Sequence, residues 1–185
     1  MRILTVANQL TFLRILIIPA FVLMVTYGYL GWALLVFMGA GITDALDGLI
    51  ARRANQRTSL GAWLDPMADK LLVVTTFVVL TLPATEVTNH IPLWLTVLLI
   101  SRDIVIVGVV AVVNLAIGPR TFRPSFLGKA ATATYLVVCL VFLYFNWRRD
   151  SSVVIDLAVY AALALTLVSS FDYFVRMRRL INEGH

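Results

Sequence analysis

The sequence predicts an all-α fold: a bundle of six transmembrane helices with the N- and C-termini both cytoplasmic. Three observations carry that reading. Of 185 residues, 61% are hydrophobic and 14% charged, with a mean hydropathy of +0.92, far from the balance of a soluble domain. No charged residue lies between Arg14 and Asp44, a stretch long enough to cross a hydrocarbon core of roughly 30 Å. Lys and Arg also gather in alternate connections, the pattern that sets membrane topology.

The spans follow in order. The first runs from about Leu10 to Tyr27, too long for the apolar part of a secretory signal peptide. The second starts at about Tyr29 or Leu30 and continues past Asp47. The third covers Trp63 to Leu82 and is stopped by Pro83. The fourth covers Pro92 to Val113, the fifth Phe126 to Phe145 and the sixth Val153 to Phe174. All are expected to be helices, because lipid offers no partner to open backbone groups. With no internal repeat or linker, residues 1–185 read as a single domain.

An even number of spans puts both ends on one side. That side collects Arg2, Arg52, Arg53, Arg57, Arg120, Arg123, Arg176, Arg178 and Arg179, and is expected to be cytoplasmic. Arg148 and Arg149 fall on the other side, against the rule and offset in part by Asp150. The net charge of +5 therefore reads as orientation and contact with membrane lipids, not as a nucleic-acid surface. Trp32, Trp63, Trp94 and Trp147 near span ends read as an aromatic belt. The lone Cys139 can form no intrachain disulfide, and His90 and His185 supply no His/Cys metal site.

The chemistry is concentrated between Thr43 and Lys70. Asp44, Asp47, Gly48 and Ala51 fall at i, i+3, i+4 and i+7, one stripe of a helix. Gly61, Asp65 and Asp69 fall at i, i+4 and i+8, one stripe of the next. A short basic loop joins the two helices, so they are expected to be antiparallel neighbours whose carboxylates converge. Two carboxylates about 5 Å apart repel by roughly 3 kcal/mol at an effective dielectric of 20, and an Asp at a helix centre adds roughly 2.5–3.5 kcal/mol of insertion cost. One or two divalent cations remove most of that. Oxygen-only ligands favour Mg²⁺ or Mn²⁺ over zinc, and a pair of such ions suits displacement at phosphorus. The plainer alternative is a solvated loop in which these aspartates pair with Arg52, Arg53, Arg57 and Lys70; the doubled helical spacing argues against it.

The same residues form the pattern D-x2-D-G-x2-A-R-x8-G-x3-D-x3-D: Asp44, Asp47, Gly48, Ala51, Arg52, Gly61, Asp65 and Asp69. It resembles the signature of the CDP-alcohol phosphatidyltransferases. Asn8 to Arg14, N-Q-L-T-F-L-R, resembles that family's N-x-L-T-x-x-R segment at span one. The resemblance implies an enzyme of the inner membrane, with its active site facing the cytoplasm, that moves a phosphatidyl group from CDP-diacylglycerol to an alcohol and releases CMP. It implies two metal ions on Asp44, Asp47, Asp65 and Asp69, with Asp69 also the general base. Gly48, Ala51 and Gly61 are then expected to form the cytidine pocket, with Arg52 and Asn8 near the diphosphate. A homodimer is implied as well.

Four basic residues bear on the acceptor. Arg102 interrupts span four beside Asp103; Arg120 and Arg123 lie in the following connection, and Lys129 begins span five. Adjacent helical residues do not face one another, so Arg102 and Asp103 are expected to have different partners. Together the four bases suit an anionic acceptor of glycerol type. The chain looks most like the branch of phosphatidylglycerophosphate synthase and the two-substrate cardiolipin synthase, with glycerol 3-phosphate preferred and phosphatidylglycerol the alternative. A competing class is an ion transporter lined by the carboxylates; it requires acidic residues at successive depths, whereas the four lie at one membrane end.

Overall fold

The computed structural model describes the backbone of residues 6–54, 61–117 and 125–182. Side chains are described over 13–43, at 68, over 70–109, at 111, 112 and 115, over 125–176 and at 178. The helices among the described residues are α1 (Val6–Thr26), α2 (Leu30–Ala54), α3 (Gly61–Thr81), α4 (Leu93–Ile117), α5 (Phe126–Arg148) and α6 (Val153–Asn182).

Helix starts follow local chemistry. Ser125 caps α5: its Oγ accepts the Gly128 amide at 2.9 Å and its carbonyl accepts that of Lys129. Ser152 does the same for α6, accepting the amides of Val154 and Ile155, with Asp156 in the first turn complementing the dipole. Pro92 precedes α4, where its missing N–H costs nothing, and its carbonyl accepts from Leu95.

Several helices outrun the apolar stretches. α6 continues to Asn182, well past Phe174, and an Arg176–Asp172 pair at 2.9 Å supports its polar turns. Hydropathy marks where lipid contact ends; the hydrogen-bond ladder need not stop there. α5 and the Val153–Arg176 part of α6 are each long and apolar enough to cross a bilayer. Shorter apolar stretches among the described residues cover Leu13–Thr26, Leu30–Thr43 and Lys70–Thr81. Leu16, Leu115, Phe126 and Val153 are largely exposed, a costly surface in water and an ordinary one in lipid.

The chain groups into two compact units, residues 1–90 with 139–151, and residues 91–138 with 152–185. In the first, α1 packs against both α2 and α3. Phe21 and Val25 of α1, Ala33 and Phe37 of α2, and Phe77 and Leu80 of α3 are buried, with the Phe21 and Phe37 rings 6.1 Å apart. The fully buried Asn146 of α5 holds the connection after α3. Its Oδ1 accepts the Asn89 amide at 2.7 Å and its Nδ2 donates to the Asn89 carbonyl at 2.9 Å. In the second unit α4 packs on α6, and the Tyr135 and Thr166 hydroxyls lie 2.7 Å apart.

Two helices of the first unit end in the same way. After α1, Gly28 takes a left-handed conformation (φ 76°), its amide bonding to the Val25 carbonyl and the Tyr29 amide to that of Met24. After α5, Arg149 does so (φ 52°), its amide bonding to the Asn146 carbonyl and the Asp150 amide to that of Phe145. Both are Schellman caps. A left-handed arginine costs about 1 kcal/mol where glycine costs little.

Candidate active site

α2 carries Asp44, Asp47, Gly48, Ala51 and Arg52, while α3 carries Gly61, Asp65 and Asp69. Asn8 lies in the first turn of α1. The side chains of all these residues lie outside the described residues, so their contacts and distances to a metal are not part of the geometry. The backbone does fix their register. At 1.5 Å per residue, Asp47 and Asp44 lie about 10 and 15 Å before the end of α2, and Asp65 and Asp69 about 6 and 12 Å after the start of α3.

The faces are informative. On α2, positions 33, 37, 40, 44 and 47 form one helical stripe; of its described members, Ala33 and Phe37 are buried inside the first unit and Ala40 is half-buried. On α3, positions 65, 69, 72 and 76 form another, in which Leu72 and Thr76 are buried. Each aspartate pair therefore prolongs a helix face that is buried in the same unit, beside a common neighbour, α1. The donor set is chemically suited to a hard divalent ion: four carboxylates, with no sulfur or imidazole among them.

One residue was passed over as a site candidate. Arg14 of α1 is only 5% exposed. With Leu13, Ile17, Val36, Gly39, Ala40 and Thr43 it lines a cavity of about 200 Å³ between α1 and α2. Thr43 immediately precedes Asp44, so a buried cation lies within about a helical turn of the first aspartate's level. The available signal was an arginine closing an otherwise uncharged stretch.

In the second unit, Arg102 and Asp103 are side by side on α4 and bond to each other, Nη1 to Oδ1 at 3.1 Å. This corrects the expectation of separate partners. Neighbouring Cβ atoms diverge, but the long guanidinium stem folds back, and in a side-chain environment only 9% and 14% exposed the pairing outweighs the bend. The same guanidinium lies against the first turn of α5: its Nη2 is 3.8 Å from where a Cβ on Gly128 would stand. Among the described residues its buried Nε has no hydrogen-bond partner, and neither has the Tyr173 hydroxyl. Lys129, next along α5, is exposed. Arg120 and Arg123 lie outside the described residues. The structure thus brings Arg102 to the amide-rich start of α5, an arrangement suited to an anion.

Known proteins match this chain along most of its length. The family model described as CDP-alcohol phosphatidyltransferase matches residues 4–168. A protein named cardiolipin synthase (CMP-forming) from Streptomyces coelicolor is 35% identical over 97% of this chain and 86% of its own. A probable phosphatidylglycerophosphate synthase from Mycobacterium tuberculosis is 35% identical over 96% of this chain and 84% of its own. The human cardiolipin synthase (CMP-forming) is 34% identical over 96% of this chain, which spans 63% of the length of that relative.

Proposed function

This chain belongs to the CDP-alcohol phosphatidyltransferase family, a generally divalent-metal-dependent group, and from that premise we propose that it transfers a phosphatidyl group from CDP-diacylglycerol to glycerol 3-phosphate. The carrying observation is the pair of aspartate-bearing stripes, each continuing a face buried beside α1. All helices are read as membrane spans, residues 1–185 as one domain, and both termini as cytoplasmic in the inner membrane. The run of apolar helices, their exposed apolar faces and the arginine distribution support that reading.

Asp44, Asp47, Asp65 and Asp69 would hold the metal, Mg²⁺ or Mn²⁺ and two ions by the number of carboxylates. Bound there, it supplies Lewis-acid charge to the diphosphate. Asp69 takes the proton from the acceptor hydroxyl as its oxygen forms a bond to the phosphatidyl phosphorus. The bond from that phosphorus to the CMP oxygen breaks, and the electron pair leaves with CMP. Gly48, Ala51 and Gly61 leave room for the cytidine, while Arg52 and Asn8 meet the diphosphate. Arg14 adds a buried positive charge that moderates the repulsion among the carboxylates. Arg102 with Lys129, Arg120 and Arg123 binds the acceptor phosphate; the unpartnered Nε of Arg102 supports that role. A homodimer completes the reading.

A second acceptor, phosphatidylglycerol, is favoured by the relatives named cardiolipin synthase. The ion-transporter alternative does not survive the family assignment. The deciding experiment supplies purified protein with CDP-diacylglycerol, Mg²⁺ or Mn²⁺ and each acceptor in competition, and identifies the lipid product by mass spectrometry. Phosphatidylglycerophosphate as the main product is expected; cardiolipin would transfer the assignment to the second acceptor, and no CMP release with either would overturn both.

A further inference from the structure

The first unit holds a second cavity, of about 590 Å³, far from the aspartates. It is lined by the turn from α1 into α2 and by the end of α5, including Gly28, Gly31, Trp32, Trp147 and Arg149. α2 rises about 21 Å from Leu30 at its edge to Asp44, so the two sites occupy opposite ends of that helix.

Several features of the cavity point to one ligand. Arg149 sits at the left-handed position of a helix cap where Gly28 serves the equivalent cap nearby, so its side chain is retained against the backbone's preference. Among the described residues its guanidinium has no ion pair or hydrogen bond, and neither has that of Arg148. A cation is favourable at a helix C-terminus, but Arg148, in the last turn of α5, already meets that need. The first amides of α2, at Leu30, Gly31 and Trp32, belong to the turn that a helix leaves without internal acceptors, and they edge the same cavity. Trp147 packs so closely on Gly31 that a Cβ there would stand 2.9 Å from its indole Nε1. The acidic neighbours are Asp150, whose Oδ1 accepts the Ser151 amide, and Glu86, whose carboxylate approaches Gly28. The lining residues Trp32, Trp147 and Tyr29 are all more than half exposed, the habit of aromatic residues at a lipid headgroup layer.

We infer that this cavity binds the phosphate headgroup of an anionic phospholipid, in the leaflet opposite the aspartates, through Arg149 and the start of α2. It also gives Arg148 and Arg149 a reason to lie on a side where positive charge is disfavoured. The inference takes from the proposed function only that these helices lie in a bilayer, and it is independent of the acceptor.

Arg149→Gly is the discriminating variant, because glycine suits the left-handed cap better than arginine and the fold is expected to keep or gain stability. Wild type, Arg149→Gly and Asp69→Asn are reconstituted in phosphatidylcholine nanodiscs with and without phosphatidylserine, and retained lipids are counted by native mass spectrometry. Wild type and Asp69→Asn are expected to keep one more phosphatidylserine than Arg149→Gly, whose affinity falls roughly fivefold. CMP release by Arg149→Gly in pure phosphatidylcholine is expected to match wild type. Equal retention by wild type and Arg149→Gly, or equal retention of phosphatidylcholine at the site, would overturn the inference. Loss of the extra lipid only in Asp69→Asn would assign it to the catalytic site and overturn it too.

Discussion

Replacing Arg102 by leucine separates a ligand-binding guanidinium from a structural ion pair. The wild-type side chain is 9% exposed, pairs with Asp103 at 3.1 Å and has a buried Nε with no hydrogen-bond partner among the described residues. A hydrogen bond from a charged donor to a bound phosphate is worth about 2 kcal/mol at this burial, which is roughly thirtyfold in kcat/KM for the acceptor. Leucine keeps most of the stem volume, so the loss is expected in KM for the acceptor, with KM for CDP-diacylglycerol unchanged. Lysine keeps the charge but not the fork, and is expected to recover only part of the activity. Stability must be measured alongside, because Asp103 loses that guanidinium and a broken buried pair costs about 3 kcal/mol. Asp103→Asn is the control: it breaks the same pair, lowers the thermal midpoint and leaves the cation in place for the acceptor. Steady-state CMP release with varied acceptor, together with melting curves in detergent, gives both readouts. If Arg102→Leu and Asp103→Asn lower stability alike and neither alters acceptor KM, Arg102 is a structural ion-pair partner and its assignment to the acceptor fails.

Three further outcomes are expected. Asp69→Asn removes the proton acceptor and should lower turnover by at least about a hundredfold, with CDP-diacylglycerol still bound in an equilibrium assay; near wild-type turnover would remove the base from Asp69. A chelator should stop CMP release and Mg²⁺ or Mn²⁺ restore it, whereas restoration by Zn²⁺ alone would contradict an oxygen-only site. Asn146→Leu removes the partner of the part-buried amide and carbonyl of Asn89, now bonded at 2.7 and 2.9 Å, and should cost about 1–3 kcal/mol; a melting midpoint unchanged from wild type would show that the clamp bears no load.

The helices were legible because apolar length and N-cap chemistry are local properties. Ser125, Ser152 and Pro92 sit where the chain starts its last three helices. Their far ends were less legible: the apolar stretch reads as ending near Phe174, yet backbone bonding carries α6 to Asn182. The Asn89–Asn146 clamp joins residues 57 apart, and no periodicity announces a pairing at that range. Arg149 was legible only as a charge against the topology rule; its place in a helix cap escaped notice because a helix end is sought at glycine. The Arg102–Asp103 bond was missed because rules for adjacent residues describe Cβ directions and not the reach of a flexible guanidinium. For the aspartates, spacing alone identified both stripes; the buried positions farther along α2 and α3 add that those stripes prolong interior faces.

Helix length connects that register to the substrate. α2 has 25 residues, so it is about 37 Å long, longer than a hydrocarbon core of roughly 30 Å. On the proposed topology, with its start at one boundary beside the tryptophans and the Arg149 cavity, the opposite boundary falls near Ile50. Asp47 and Asp44 then lie about 4.5 and 9 Å inside it, within the last two turns before the headgroup layer, and Ala51 and Arg52 beyond it. A carboxylate is cheapest to hold at that depth among membrane positions, and it is also the depth at which the diphosphate of a diacylglycerol-anchored nucleotide comes to rest. Moving the aspartates one or two turns towards Leu30 would raise their insertion cost and carry them below the phosphorus they must serve. On the proposed topology the length of α2 and the position of the motif along it are a single constraint, set by the thickness of the bilayer and the anchoring of the substrate.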